Sequence, residues 1–542
     1  MTVSSGWARI SAVALAVGLT LGTAPSMVAA QARQHSLPAL GDGAELTLTE
    51  ERRIGDQIAR SIFRDPLYLD DPAIGAYLQT LWEPLVQAAL QRGDLTPELK
   101  ERFAWQIVVG RDRQVNAFAL PGGYLGVYLG LMSTVSTPDE LASVMAHELA
   151  HVSQRHISRL ITRQSQQTPW VIGAMILGAL AANAARNVDI AGAAIVGGQA
   201  VAIQNQLNFS RDMEREADRI GFGIMHTAGF NPQGFVSMFD KLQAASRLND
   251  DGAFPYLRSH PLTTERMADM KARTQELASS SGTATGFGQA SSGPISLPYH
   301  VLISARARVL AEDQVDRLRA LAITATTART TGFDELQSFG QLYAATLAAA
   351  RLRDARLVQL GLQQLLAHPL ATTNDQTRSA LAAFEVESWL ALPPESWPAT
   401  AQNRVQQYVA NTLALGPRAS REAMVLSAQV LLKPAMTSEA QRTQQSALAQ
   451  RLQAHVALNP TDALAWQTLS NLHQAQGQLA RAARADAESK LAHLDTAAAH
   501  DRLRAAQQMA RQGGADHIES SIIDARLRQV QDQLRQEQLD AR

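Results

Sequence analysis

The sequence predicts a mainly α-helical protein in two parts: helices around a small β-sheet, then a second part built of helix after helix. Three observations carry this expectation. Capping residues followed by apolar positions at helical spacing recur along the chain. Short β-like runs stand out near Gln106 and Phe118, in the first part. A Ser/Gly-rich stretch from Ser279 to Pro294 then separates the two, and beyond Tyr299 the composition turns to Ala, Leu, Gln and Arg.

A chain of 542 residues is too long for one core, so two or three domains are expected. A net charge of -1 and the lack of any basic run argue against a nucleic-acid partner. With no cysteine there is neither a disulfide framework nor a thiolate ligand. Any metal must be held by His, Asp or Glu.

Residues 1–30 read as an export signal. Arg9 precedes a short apolar run from Ile10 to Leu21, and Val28-Ala29-Ala30 or Ala30-Gln31-Ala32 offers the cleavage site. The run is too short for an ordinary membrane span, and an uncleaved anchor is the alternative. A capped helix is expected from Thr47 to Phe63, and another from Asp71 to Arg92 carrying Ile74, Tyr77, Leu78, Leu81 and Leu85. Trp105 to Val109 reads as a strand ended by Gly110. Phe118 and Leu120 alternate with small residues before the turn at Pro121-Gly122-Gly123. That second strand is either a plain hairpin arm or an exposed edge on which an extended peptide pairs.

The next helix carries the chemistry. Thr137 is a good N-cap, Pro138 suits the first position, and Glu140 completes a capping box. Leu141, Val144, Met145, Leu149 and Val152 supply a core face, and no proline interrupts before Pro169. On this helix His147 and His151 lie one turn apart on one face, the spacing at which two neutral imidazoles bind one Zn²⁺. Glu148 beside them is the expected general base. His156, further along the same helical run, is expected on roughly the opposite side, as a surface or packing residue.

Two apolar runs, Trp170 to Ala182 and Ile190 to Ile203, are each too short to cross a bilayer. They read as a buried hairpin, the alternative being a lid over the active site that makes a peripheral membrane contact or touches a partner. Ser210 to Ala228 is a second capped helix, with Glu214 and Asp218 on one face and the small residues Ala217 and Gly221 near it. A carboxylate from this helix completes a His₂Glu site with one open position, and an acid such as Asp218 can fix the tautomer of a ligand imidazole. Spacing leaves Glu216 open as the ligand. A solvated charged face is the plain alternative for all three acids.

His147-Glu148-Leu149-Ala150-His151 together with Glu214-Arg215-Glu216-Ala217-Asp218-Arg219-Ile220-Gly221 resembles the Glu-zincin peptidase family that includes the HtpX membrane proteases and the CAAX prenyl proteases. The motif match runs from roughly Asn116 to Arg266. The resemblance implies a zincin-like metalloprotease domain binding one Zn²⁺ through His147, His151 and Glu214, with Asp218 as the supporting acid and Glu216 without a role. It also picks out Arg258-Ser259-His260-Pro261 and, after it, Arg266. His260 is then a catalytic residue that stabilises the oxyanion, a fourth ligand that holds the enzyme latent, or a structural histidine. Arg266 pairs with a site carboxylate or merely solvates its helix.

The expected domains are residues 45–278 for the metallopeptidase, 279–298 for the linker and 299–542 for helical repeats. Asp462 to Ala482, with Trp466, Leu469 and Gly477, resembles a tetratricopeptide repeat, and Leu342 to Pro369 is a weaker copy. Stacked pairs would form a solenoid whose concave face binds peptides or folded partners, the alternative being an irregular bundle. After Gly513-Gly514 a last helix to Arg542 carries Ile523, Leu527, Val530 and Leu534 on one stripe, to cap the array or to bind a partner. The export signal and repeat tail imply a periplasmic member of the family. The resemblance then implies polypeptide substrates, misfolded or stalled outer-membrane proteins above all, and the outer-membrane β-barrel assembly machinery as a partner of its repeats. The rival reading is a chaperone or scaffold for outer-membrane protein assembly with the protease largely latent.

Overall fold

The computed structural model describes residues 46–163, 210–247, 254–280, 294–327, 334–433, 438–514 and 516–540. The export signal, the apolar runs within 169–208 and most of the Ser/Gly-rich stretch lie outside these residues.

Helix α1 (Leu48–Phe63) starts at Thr47, whose side chain accepts from Glu50 N while Glu50 returns the bond to Thr47 N. Strand β1 (Tyr68–Leu69) follows, then α2 (Pro72–Arg92), capped by Asp71, and the short α3 (Pro97–Arg102). Ile74, Tyr77, Leu78, Leu81 and Leu85 of α2 are all buried, as their spacing predicts. Strands β2 (Gln106–Gly110), β3 (Ala117–Leu120) and β4 (Tyr124–Tyr128) complete a four-stranded sheet of order β1-β2-β4-β3. β2 and β4 are parallel, and β3 pairs antiparallel with β4 through the Pro121–Gly123 turn, with φ of 74° at Gly122 and 87° at Gly123. Among the described residues β3 pairs only with β4 and lies at the sheet edge.

Helix α4 (Leu129–Thr134) leads into α5 (Pro138–Ser153), the helix of the two histidines. Thr137 caps α5 as expected, but the box closes differently. Glu140 accepts from Ser136 N at 2.6 Å and pairs with Lys241, not with the Thr137 backbone. The one-sided core face is also too narrow a description. Every residue from Glu140 to Ser153 is buried, because α5 runs through the middle of the domain between β3, α2 and the helices that follow.

Helix α5 ends at Ser153. Arg155 takes a φ of 52°, held by its Nε bond to the buried Glu51 of α1 at 2.8 Å, and α6 (His156–Arg163) sets off in a new direction. The continuous helix expected through His156 is therefore broken. Helix α7 (Arg211–Thr227) begins at Ser210, which accepts from Met213 N, and stops before Gly229 at a φ of 83°. It packs directly on α5. α8 (Gln233–Arg247), α9 (Tyr256–Ser259) and α10 (Thr264–Ser280) close this part.

The remainder is helical: α11 (Leu297–Leu310), α12 (Val315–Thr327), α13 (Glu335–Arg351), α14 (Ala355–Ala367), α15 (Asp375–Leu390) and α16 (Ala399–Leu415). After them come α17 (Arg421–Leu431), α18 (Glu439–Leu458), α19 (Ala463–Ala475), α20 (Leu479–Ala492), α21 (Thr496–Met509) and α22 (His517–Asp540). α19 and α20 are joined at Gly477, φ 72°, and pack on each other; α13 and α14 do the same, burying Ala345, Ala348 and Ala349. Ile523, Leu527 and Val530 of α22 are buried against Ala480, Ala499, Leu503 and Ala506. That stripe is packed within the chain.

The helical part is bonded to the sheet-containing part. Arg306 on α11 donates to Asp71 at 2.6 and 2.9 Å and to Glu387 at 2.7 Å. His300 sits between Tyr77 Oη (2.6 Å) and Val135 O (3.3 Å). No helix of the described residues is long and apolar enough to cross a membrane.

The α5–α7 approach generates a prediction. A Cβ on Gly221 would lie 3.0 Å from Ala146 O, so there is no room for branching. Gly221→Val should destabilise the protein by about 1–3 kcal/mol in a denaturant titration. An unchanged midpoint would show that this contact does not set the helix spacing.

Candidate metal centre

The α5–α7 contact brings two pairs of side chains together. His147 and His151 project from α5, and Glu214 and Asp218 from the facing turn of α7. All are buried, with at most 2% of the residue exposed. His147 Nε2 lies 3.0 Å from His151 Nε2 and 3.5 Å from Glu214 Oε2, while His151 Nε2 lies 3.4 Å from Glu214 Oε1. His260, at the end of α9, adds its Nδ1 at 3.3 Å from His147 Nε2 and 3.0 Å from Glu214 Oε1. Four atoms about 2.1 Å from one ion in a tetrahedron lie about 3.4 Å from one another. The observed spacings fit such an ion, and the two-nitrogen, one-carboxylate set with a further imidazole suits a divalent transition metal.

Glu148 stands next to this cluster. Its carboxylate is fully buried, neither oxygen makes a hydrogen bond among the described residues, and Oε1 lies 3.4 Å from His260 Nε2. A buried carboxylate without hydrogen bonds is costly, and a water or a polarised substrate group beside it would relieve that cost.

Arg266 on α10 supports the acids from behind. It donates to both oxygens of Asp218 at 2.6 and 2.7 Å, and its Nη1 lies 2.6 Å from Glu214 Oε2. Asp218 Oδ1 in turn lies 3.0 Å from His147 Nδ1. Asp218 and Arg266 are thus joined behind the donor atoms. Tyr256 of α9, a residue that no motif marks, stacks on the His260 ring at 4.6 Å and fixes its plane.

Electrostatics separate the two α5 histidines. Burial disfavours the charged form of both. For His147 the Asp218 and Glu214 carboxylates outweigh burial and raise its pKa to about 9. For His151 burial dominates and the pKa falls well below the usual value. Burial also works against ionised Glu214 and Asp218, yet His260 and the α5 imidazoles hold Glu214 well below the carboxylate range, and Arg266 with His147 lowers Asp218.

Glu216 is away from the donor cluster, in line with the resemblance, which gives it no role there. One residue sits elsewhere than the sequence led one to expect. His156 is not on the far side of a continuous helix but wholly buried, with its Nδ1 2.8 Å from His151 Nδ1 and its Nε2 3.0 Å from Glu216 Oε2. The break at Arg155 turns it back toward the site. Neither glycine nor proline marks that break, so the helical period alone misplaces the ring. Burial, with Glu216 opposing it, leaves the His156 pKa at about 4.

A metal requires His147 neutral, yet its raised pKa keeps it protonated at pH 7. Zinc uptake at pH 7 should therefore expel about one proton from this ring. Affinity should climb by up to about tenfold per pH unit toward pH 9 and flatten above it. Calorimetric titration in buffers of different ionisation enthalpy measures this; proton release that stays unchanged above pH 9 would contradict it.

Comparison with known proteins gives a consistent answer. Residues 77–274 match the model of peptidase family M48. A Vibrio cholerae relative is 36% identical over 246 residues, 44% of this chain and 48% of that protein. The beta-barrel assembly-enhancing protease of Yersinia pestis is 32% identical over 250 residues, 45% of this chain and 48% of that one. The mitochondrial metalloendopeptidase OMA1 of Saccharomyces cerevisiae is 26% identical over 228 residues, 41% of this chain and 62% of the relative. The match spans about half the length of the bacterial relatives. Both sequence motifs and every donor of the cluster fall inside the matched residues, and the chain carries a metallopeptidase domain of peptidase family M48.

Proposed function

We propose that this chain is a zinc-dependent endopeptidase of the periplasm that degrades misfolded or stalled outer-membrane proteins and assists their assembly. The observation that carries the peptidase part is the convergence of His147, His151 and Glu214 beside the buried carboxylate of Glu148. The similarity to proteins named beta-barrel assembly-enhancing protease supports the substrate class. The apolar run and cleavage site in residues 1–30 support export.

A bound zinc would supply Lewis-acid polarisation of the scissile carbonyl and make water a better nucleophile. The chain's own residues do the rest. Glu148 takes the proton from the attacking water and hands it to the leaving amine. Asp218, held by Arg266, keeps His147 oriented with Nε2 toward His151 and Glu214, where it would hold a zinc ion. Strand β3, at the sheet edge among the described residues, is the proposed place where an extended polypeptide pairs. The tetratricopeptide-like helix pairs, among them α19–α20, are the proposed surface for the outer-membrane assembly machinery and for unfolded clients.

One observation favours a latent resting state. His260 Nδ1 already stands among the donor atoms, so the position that a catalytic site keeps open is filled. In this reading His260 would be a fourth ligand at rest and would have to swing aside for a substrate to be cut, and the scaffold activity operates while it stays.

Metal analysis of the mature protein alongside casein cleavage with and without a chelator tests the assignment. Glu148→Gln should retain zinc and lose about 10²–10⁴-fold in turnover. Proteolysis at the parental rate would remove the general base. His260→Ala should raise proteolysis; an unchanged or lower rate would end the latency reading. Complementation by the Glu148→Gln form separates the scaffold role from the protease role.

A further inference from the structure

We infer that His156 and Glu216 form a relay that fixes the tautomer of His151 and so sets the metal affinity of the site. The inference rests on the reading of His147, His151 and Glu214 as metal ligands. Both relay residues are positioning residues.

A neutral imidazole has one N–H and one lone pair. His151 turns Nε2 toward His147 and Glu214, so a lone pair there requires its proton on Nδ1. That nitrogen lies 2.8 Å from His156 Nδ1, and two ring nitrogens at such a distance need one proton between them. If His151 donates, His156 must accept through Nδ1 and carry its own proton on Nε2. Its Nε2 lies 3.0 Å from Glu216 Oε2, which accepts. The same carboxylate oxygen takes a second bond from Arg159 Nη2 at 2.7 Å, one turn along α6 from His156. Each step leaves one proton arrangement, and all of them agree.

The arrangement parallels the other arm of the site. His147 faces a carboxylate, Asp218, which an arginine holds from behind. His151 also reaches an arginine-held carboxylate, but through an intervening ring. That ring keeps the Glu216 charge at a partly exposed edge, with 31% of its side chain accessible. The pocket already buries Glu148, Glu214 and Asp218, and a further acid placed directly on His151 would repel all three. Outer partners of ligand imidazoles commonly govern metal affinity by 10–100-fold.

The test compares zinc affinity by chelator competition in the full chain. His156→Phe keeps a ring and removes the acceptor, and it should weaken zinc binding by about 10–100-fold. His156→Gln offers a carbonyl to His151 and an amide to Glu216, and it should return affinity most of the way to the parental value. Glu216→Leu, at the partly exposed end, should lose affinity in the same direction by a smaller factor and guards against a His156→Phe chain that fails to fold. In ¹⁵N spectra of the zinc-loaded parent, His151 should carry its proton on Nδ1 and His156 on Nε2. A parental chain that takes up no zinc would overturn the metal reading and the relay together. Tight binding by the parent, matched by His156→Phe or by Glu216→Leu, would overturn the relay alone, as would a proton found on His156 Nδ1.

Discussion

The site depends on how closely α5 and α7 pack. Small residues at the crossing, Ala146 on one helix and Ala217 and Gly221 on the other, let the backbones approach until a Cβ on Gly221 would press on Ala146 O. At that separation one turn of each helix faces the other, and the side chains of His147, His151, Glu214 and Asp218 meet in a single buried volume. A wider spacing would leave the carboxylate of Glu214 out of reach of the imidazoles. The two motifs are far apart in the chain, and only this contact makes them one site.

Bringing several acids and imidazoles out of water has a cost that the neighbouring elements offset. Arg266 neutralises Asp218 through two hydrogen bonds and also approaches Glu214. Asp218, facing His147 Nδ1, and Glu214, facing its Nε2, in turn stabilise the protonated form of that ring. Among the described residues Glu148 alone of this cluster has no hydrogen bond of its own, which suits a group that must exchange a proton during a reaction. Removing one partner from such a cluster leaves an uncompensated buried charge, a larger penalty than the loss of a surface pair.

The helical part shares buried polar contacts with the domain that bears the site. Asp71 both caps α2 and receives Arg306, so a single carboxylate ties the start of a core helix to the tail. Arg421 bridges Asp70 to Asp462, the capping residue of α19. His300, kept neutral by burial at a pKa of about 4, accepts from Tyr77 and donates to Val135 O. These are bonds with fixed directions, and they define how α11 meets α2 and the end of α4.

Much of this was legible in the sequence because its determinants are local. Thr47, Asp71, Thr137 and Ser210 cap helices within three residues of themselves. The four-residue step from His147 to His151 sets both on one face whatever surrounds the helix. Determinants that act across the chain were hidden. The end of α5 is decided by Glu51, about a hundred residues earlier in the sequence, which holds Arg155 in a left-handed conformation and turns His156 inward. The partner of Glu140, the place of Tyr256 against His260 and the sheet edge left to β3 likewise arise from contacts between distant segments. The sequence by itself determined which side chains could hold and serve a metal, since residue chemistry and helical period need no tertiary context. Tertiary structure alone decided which of them meet and which nitrogen of each ring faces the site, because packing sets those distances.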